Sequence, residues 1–186
     1  MSDPVHSPQE RLLNVAARLF YSEGIHAVGI DRVIAEASVA KATLYAHFPS
    51  KAELVAAYLG RESSDWVEEA TGRIDRTRPG TPAVHALFEM LHEHSLDPDY
   101  RGCPFINAAA EFPGPGPVST QIALHRDRLR KVFSRALGPM ADAPGMLDSI
   151  MALYGGAMSA AHLDHRPEVV LNAAAAAEVI LVGQAS

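Results

Sequence analysis

Residues 30–48, Ile-Asp-Arg-Val-Ile-Ala-Glu-Ala-Ser-Val-Ala-Lys-Ala-Thr-Leu-Tyr-Ala-His-Phe, decide the fold. Ile30, Val33, Ile34 and Ala37 recur at three and four residues, which is one face of a helix. After a break at Ser38-Val39-Ala40, Val39, Leu44 and Phe48 form a second apolar set. Pro49-Ser50-Lys51 follows and opens a further helix. Two short helices joined by a tight turn are the outline of a helix-turn-helix, whose second helix enters the major groove of DNA.

Helical angles sort the second helix, 41–47, into faces. At about 100° per residue, Leu44 and Phe48 lie about 40° apart and define the inward side. Ala42, Thr43 and Ala46 occupy the opposite side, with Tyr45 and His47 on the flanks. Methyl groups can touch a thymine methyl, and a hydroxyl can bond a base or a phosphate. Tyr and His on the flanks are placed to reach the phosphates bordering the groove. The angles alone are equally compatible with an ordinary surface helix whose alanines raise helix propensity.

From Gly24 to Leu54, and above all over Lys41-Ala-Thr-Leu-Tyr-Ala-His-Phe-Pro-Ser-Lys51, the chain resembles the DNA-binding domain of the TetR family of transcriptional regulators. The resemblance implies that Ala42, Thr43 and Ala46 face the bases. It implies that Tyr45, His47 and Lys51 contact phosphates and that Lys41 begins the reading helix. Arg32 completes the candidate DNA-binding set. One departure is visible: Ser38 stands where the family's turn commonly has Gly, so serine must adopt that turn at some cost. The resemblance further implies a C-terminal helical domain that encloses a small-molecule effector and dimerises through its last two helices.

Composition sets the bounds. Hydrophobic residues make up 48% of 186, enough for a real core in one or two domains. No run of alternating β-branched residues stands out, and the 13 prolines fall mainly at element ends, so the chain reads as all-α. The expected division is a helix-turn-helix domain over 1–50 and a helical effector-binding and dimerisation domain over 51–186. The net charge of −6 excludes a protein coated in basic surface. Residues 1–60 carry five Lys or Arg against six Asp or Glu, and the rest of the acidity lies beyond them. With so few cations, DNA affinity must rest on close fit and on two copies binding together, with a moderate salt slope. Cys103 is the single cysteine, so no intrachain disulfide can form and a cytoplasmic, nucleoid-associated protein is expected. Met1–His6 shows no basic patch leading into an apolar core, so no secretion signal is expected. No apolar run is long enough to span a membrane.

Ser7-Pro8-Gln9-Glu10 reads as a capping box opening a first helix, with Leu12, Leu13, Ala16, Ala17, Leu19 and Phe20 as its buried stripe and Gly24 as its end. Ser50-Lys51-Ala52-Glu53 reads as a second box, opening a long helix through about Ile74. That helix start offers free amides and the charge of Lys51 to a DNA phosphate. Further helices are expected near 81–96, 101–112, 118–137, 144–163 and 167–183, with Pro113-Gly-Pro-Gly-Pro117 as a corner. The basic string Arg126, Arg128, Arg130 and Lys131 reads as a solvated helix face. The last helix is apolar around most of its circumference and must be buried, either in its own core or against a partner subunit. Gly155, Gly156, Ser159, Val170, Ala174 and Val179 are the candidate dimer residues.

His92-Glu93-His94 and His162-Leu163-Asp164-His165 lack a zinc-enzyme pattern, and no metal or cofactor is expected. There is no nucleophile elbow, phosphate-cradling glycine loop or dinucleotide fingerprint, so the chain is not read as an enzyme. Cys103 reads as an inert thiol, with a redox sensor as the alternative. Trp66, His85, Phe88, Met90, His92, Cys103, Phe105, Asn107, Tyr154 and Met158 are the candidate effector-pocket residues, mostly apolar with few polar anchors. The sequence therefore points to a homodimeric repressor on a double-stranded, pseudo-palindromic operator. The alternative is a helical ligand-binding protein whose DNA domain has lost function.

Overall fold

The computed structural model describes residues 7–183. Among them the regular structure is helical: α1 (Pro8–Glu23), α2 (Ile30–Ala37), α3 (Lys41–His47), α4 (Lys51–Ile74), α5 (Thr81–Ser95), α6 (Pro104–Glu111), α7 (Pro117–Leu137), α8 (Met146–Leu163) and α9 (Glu168–Gly183). A short 3-10 turn over Gly138–Asp142, which the sequence reading did not separate, follows α7. The secretion-signal reading of Met1–His6 lies outside the described residues.

Local chemistry explains most of the boundaries. At the start of α1 the Ser7 hydroxyl accepts from the Glu10 amide at 3.2 Å, and the Glu10 carboxylate accepts from the Ser7 amide at 2.7 Å. Both halves of the capping box are thus present, and Pro8 takes the first helical position, where its missing N–H costs nothing. Gly24 ends α1 at a positive φ of 93°. At the start of α4 the Ser50 hydroxyl accepts from the Glu53 amide at 3.2 Å. Pro82 and Pro117 sit at the openings of α5 and α7.

The described chain separates into two compact units. The first contains the residues up to Ser63 together with Pro104–Leu124; the second contains Ser64–Cys103 together with the chain from His125 onward. The units therefore do not divide at residue 50: the first turns of α4, all of α6 and the start of α7 group with the helix-turn-helix. In the first unit α1, α2 and α3 pack on one another. They bury Leu12, Ala16, Leu19, Phe20, Val33, Ala37 and Leu44, and the Phe20 ring meets Tyr58 edge-on at 6.0 Å. In the second unit α5, α8 and α9 pack together around Phe88, Ile150, Tyr154, Val170, Ala177 and Leu181. Burial of this kind contributes roughly 25 cal/mol per Å² of apolar surface, and it outweighs the local preferences of short helices such as α2 and α3.

Candidate nucleic-acid interface

α3 is a seven-residue helix held from one side. Leu44 is fully buried and Phe48, just past the helix end, nearly so. The Phe48 amide donates to the Leu44 carbonyl at 2.8 Å, which closes the last turn over that anchor. Everything else on the helix faces outward to some degree. Lys41, Ala42, Ala46 and His47 are exposed, Tyr45 is 45% exposed, and Thr43 is half-exposed. The two anchors lock the rotation of the helix, so this outward set is fixed by the core and not by propensity.

The turn before α3 is made by Ser38, which has φ 52° and ψ 51° and so lies in the left-handed region where glycine is usual. The strain for a non-glycine residue there is of order 1 kcal/mol. Four hydrogen bonds offset it. The Ser38 amide donates to Ala35, and the Val39 amide donates back to Ile34 at 3.3 Å, the closing pattern of a left-handed cap. Arg11, reaching across from α1, donates to the Ala37 carbonyl at 3.2 Å and to the Ser38 carbonyl at 3.4 Å. The carbonyls that α2 leaves unsatisfied at its end are therefore covered by another helix's side chain.

Each of the five Lys and Arg residues within 1–60 has an intrachain partner. Arg11 caps α2, and Arg18 pairs with Glu36. Arg32 pairs with Glu36 at 2.9 Å and with Glu23 through both guanidinium ends. Lys41 pairs with Asp31 at 3.0 Å. Lys51 turns its ammonium over the Phe20 ring, 5.9 Å from the centroid. The charges respond accordingly. Hydrogen bonding from Arg32 holds the Glu23 and Glu36 carboxyls below their ordinary range. The Asp31 contact pushes Lys41 up, while partial burial pulls Lys51 down against the opposing pull of Glu111. Beside Lys41, the surface facing outward from α3 thus presents the Thr43 and Tyr45 hydroxyls, the His47 ring and the Ala42 and Ala46 methyls. Its nearest cations are already engaged by carboxylates or an aromatic ring.

Neither the Arg11 cap nor the Glu23–Arg32–Glu36 cluster was found from sequence. An Arg and a carbonyl 26 residues apart carry no local pattern, whereas Arg32 and Glu36 at four residues apart do.

The candidate effector residues divide between the two units. Phe105 and Asn107 fall in the first unit, Phe105 buried and Asn107 exposed. The other eight fall in the second unit. There Phe88, Met90 and Tyr154 are part of the buried core, with Trp66 and Met158 packed against it. Phe88 and Phe133 meet the Tyr154 ring edge-on at 5.4 and 5.0 Å. Burial pushes the Tyr154 hydroxyl above its ordinary range, and a hydrogen bond from Trp66 partly offsets this. His125 meets Trp66 edge-on at 5.9 Å, and burial beside Arg126 and Arg128 pulls it down to about 4. Cys103 and His92 are half-buried. His85 Nε2 lies 3.4 Å from a Glu178 carboxylate oxygen. A described cavity of about 260 Å³ lies elsewhere, in the first unit, against Ala52 and the proline corner Glu111–Ser119.

Of the candidate dimer residues, Val170 and Ala174 must be corrected. Both are buried within the chain's own core, on the side of α9 that also carries Ala177 and Leu181. Val179 is 73% exposed on the opposite side, with Leu171 and Val182 also exposed. Gly156 is exposed, and Gly155 and Ser159 are half-exposed on α8. Among the histidines, His94 pairs with Glu69 at 2.9 Å and His162 Nδ1 lies 3.2 Å from the Tyr100 carbonyl. In the basic string Arg130 pairs with Asp148 at 2.6 Å and Lys131 with Asp127 at 2.7 Å. No helix among the described residues is long and apolar enough to cross a membrane.

Comparison with known proteins matches this geometry. Residues 12–58 fit the profile of the bacterial regulatory proteins of the tetR family. The chain is 34% identical over 89 residues to the HTH-type transcriptional activator FasR of Mycolicibacterium smegmatis, a match covering 46% of this chain and 41% of that protein. It is 29% identical over 105 residues to the HTH-type transcriptional regulator LmrA of Bacillus subtilis, covering 55% and 56%. The matched region thus spans about half the length of these relatives. Among solved structures, a TetR-family transcriptional regulator from Streptomyces coelicolor superposes with a TM-score of 0.80 at 31% identity, covering 94% of this chain and 95% of that one.

Proposed function

This chain belongs to the TetR family of transcriptional regulators, and from that premise we propose that it is a homodimeric repressor released from its operator by a small-molecule effector. In this reading residues 1–50 read DNA, and residues 51–186 bind the effector and dimerise. One observation carries the DNA part: buried Leu44 and Phe48 hold α3 so that Ala42, Thr43, Tyr45, Ala46 and His47 all face outward. Ala42, Thr43 and Ala46 contact base edges, while Tyr45 and His47 hold the flanking phosphates. Arg32, Lys41 and Lys51 contribute after exchanging their present partners for phosphate. Two-fold symmetry then requires half-sites about 34–36 Å apart, or a multiple of that.

The outward side of α9 supports the dimer. Leu171, Val179 and Val182 are exposed aliphatic side chains on one helix, and Gly155 and Gly156 on α8 allow close approach. The effector acts by tilting α4, the helix that begins beside the reading unit. It must bind the tilted and untilted states unequally, because equal binding shifts nothing.

The test is retention of sheared genomic DNA by the purified protein, followed by shift assays on the retained fragments. Thr43→Ala should weaken operator binding by about 1–3 kcal/mol if Thr43 bonds a base, and Tyr45→Phe should weaken it less. Failure of the wild type to retain any fragment would favour the second reading, a ligand-binding protein with a silent DNA domain, whereas wild-type affinity in both variants would remove Thr43 and Tyr45 from the contact set. The full engagement of the cations in residues 1–60 is the observation on that side.

A further inference from the structure

The link between α1 and α2, residues 24–29, is held by a side chain from a distant part of the sequence. Glu111, the last residue of α6, places its carboxylate against this link: the Ile25 amide donates to one oxygen at 2.9 Å and the His26 amide donates to the other. His26 Nδ1 lies 3.3 Å from that second oxygen. The neighbouring Phe112 stacks its ring on the His26 imidazole, with centroids 5.1 Å apart. Ile25 is buried, and a Cβ on Gly24 would sit 3.7 Å from a Glu111 oxygen, so the carboxylate is closely fitted to this backbone. All of these residues belong to the first unit.

The placement of Glu111 runs against local preference. A carboxylate in the last turn of a helix faces the negative end of the helix dipole, where Lys, Arg or His would be favoured. The residue therefore finds its favourable partners outside α6, in the two amides of the α1–α2 link. α2 in turn lacks a side-chain cap at its start, where Gly29 stands. The direction in which α2 and the following turn set α3 therefore depends on how the link is held.

We propose that Glu111 is a positioning residue for DNA binding: its two-amide contact, backed by the Phe112–His26 stack, fixes the α1–α2 link and so the orientation of the reading helix. This rests on the regulator reading above and deepens it. α6 begins at the residue after Cys103, the end of a segment of the second unit. A displacement of α6 therefore reaches the helix-turn-helix directly, in addition to any tilt of α4.

The experiment uses the full chain as wild type, Glu111→Ala and Glu111→Gln, with a genomic fragment retained by the wild type and a random-sequence duplex as the two DNA probes. Thermal unfolding by circular dichroism confirms the helical fold, and hydrogen exchange reads the amides of Ile25 and His26. Glu111→Ala should bind the retained fragment roughly tenfold or more weakly, with both amides exchanging faster. Glu111→Gln should fall between, because its amide oxygen can serve one donor while its NH2 cannot accept from the second. Removing a carboxylate beside Lys51 acts in the opposite direction, raising random-sequence affinity if it does anything. A selective loss on the retained fragment is therefore specific to positioning. Equal binding by wild type and Glu111→Ala would overturn the proposal and leave the regulator reading standing. Failure of the wild type to retain any fragment would overturn the regulator reading, and this proposal with it.

Discussion

α3 and α9 are both helices with one face locked in a core and the other turned outward, yet the outward faces have opposite chemistry. α3 shows alanine methyls, a threonine, a tyrosine and a histidine; α9 shows Leu171, Val179 and Val182. The first suits a groove lined with hydrogen-bonding edges and methyl groups, the second an apolar partner surface. Both units hold charges at the rim as ion pairs, between α1, α2 and α3 in the first and between Arg130 and Asp148 in the second, and both bury a tyrosine, Tyr58 and Tyr154; the second also buries His125. The contrast is one of outward chemistry: methyl and hydrogen-bonding groups on α3, aliphatic side chains on α9.

The largest expected effect tests the α9 face. Val179→Glu places a carboxylate where a dimer of this chain would exclude water, and two-fold symmetry places it there twice. Leaving such charges unpaired should cost about 3 kcal/mol, roughly a hundredfold in the dimer dissociation constant. Sedimentation velocity should show monomers, with thermal stability close to wild type at matched monomer state because Val179 makes little use of its own core. Val170→Glu should instead unfold the chain, since that side chain is fully buried. A dimeric Val179→Glu variant would move the interface off α9.

These two valines also show what could be read from sequence and what could not. The helix limits were legible because proline, glycine and serine at the ends act locally, and Leu44 and Phe48 were legible because one apolar stripe on a polar helix leaves no choice of inner face. α9 is apolar all round, so helical angle cannot say which stripe faces the core; only packing against α5 and α8 decides it, and it selects Val170 and Ala174. The cap of α2 by Arg11 and the hold of Glu111 on the α1–α2 link were invisible for a related reason. Both join residues far apart in sequence through backbone atoms, which carry no residue-type pattern.

A second, smaller effect separates the two units by pH. His125 is pulled from its ordinary 6.5 down to about 4 by burial and the adjacent arginines. Above 6.5 the folded and unfolded forms are both neutral at this group and it contributes no pH dependence. As pH falls below 6.5 the unfolded chain takes up a proton that the folded chain refuses, so stability is lost until pH reaches about 4. At pH 5 the loss should be about 2 kcal/mol. The Glu23 and Glu36 pairs of the first unit have the reverse sign of shift: their carboxyls are held low, so their contribution persists at pH 5 and fades only as pH falls below the usual 4.5. Hydrogen exchange from pH 7 to 5 should loosen the region around Trp66 and His125 before the α1–α2 pair. His125→Gln should flatten the decline relative to wild type; an unchanged slope would place the pH sensitivity elsewhere.

The smallest effect concerns Lys41, the cation at the start of the reading helix. Its partner Asp31 is 3.0 Å away and both side chains are well exposed, a pairing that contributes little to folding. On DNA the same ammonium faces a choice between a carboxylate and a phosphate, and the carboxylate lowers the gain from choosing the phosphate. Asp31→Asn keeps the shape and removes the competitor. Affinity for a retained fragment should rise by about threefold at moderate salt, with the slope of log affinity against log salt near wild type, because the same phosphate is neutralised in both proteins. Affinity for random sequence should rise by at least as much, because a phosphate contact carries no sequence information. Asp31 would then serve to keep α3 dependent on its neutral face, trading some affinity for discrimination. If affinity stays unchanged, Lys41 does not reach a phosphate, and the recognition surface is confined to the other residues that Leu44 and Phe48 hold outward.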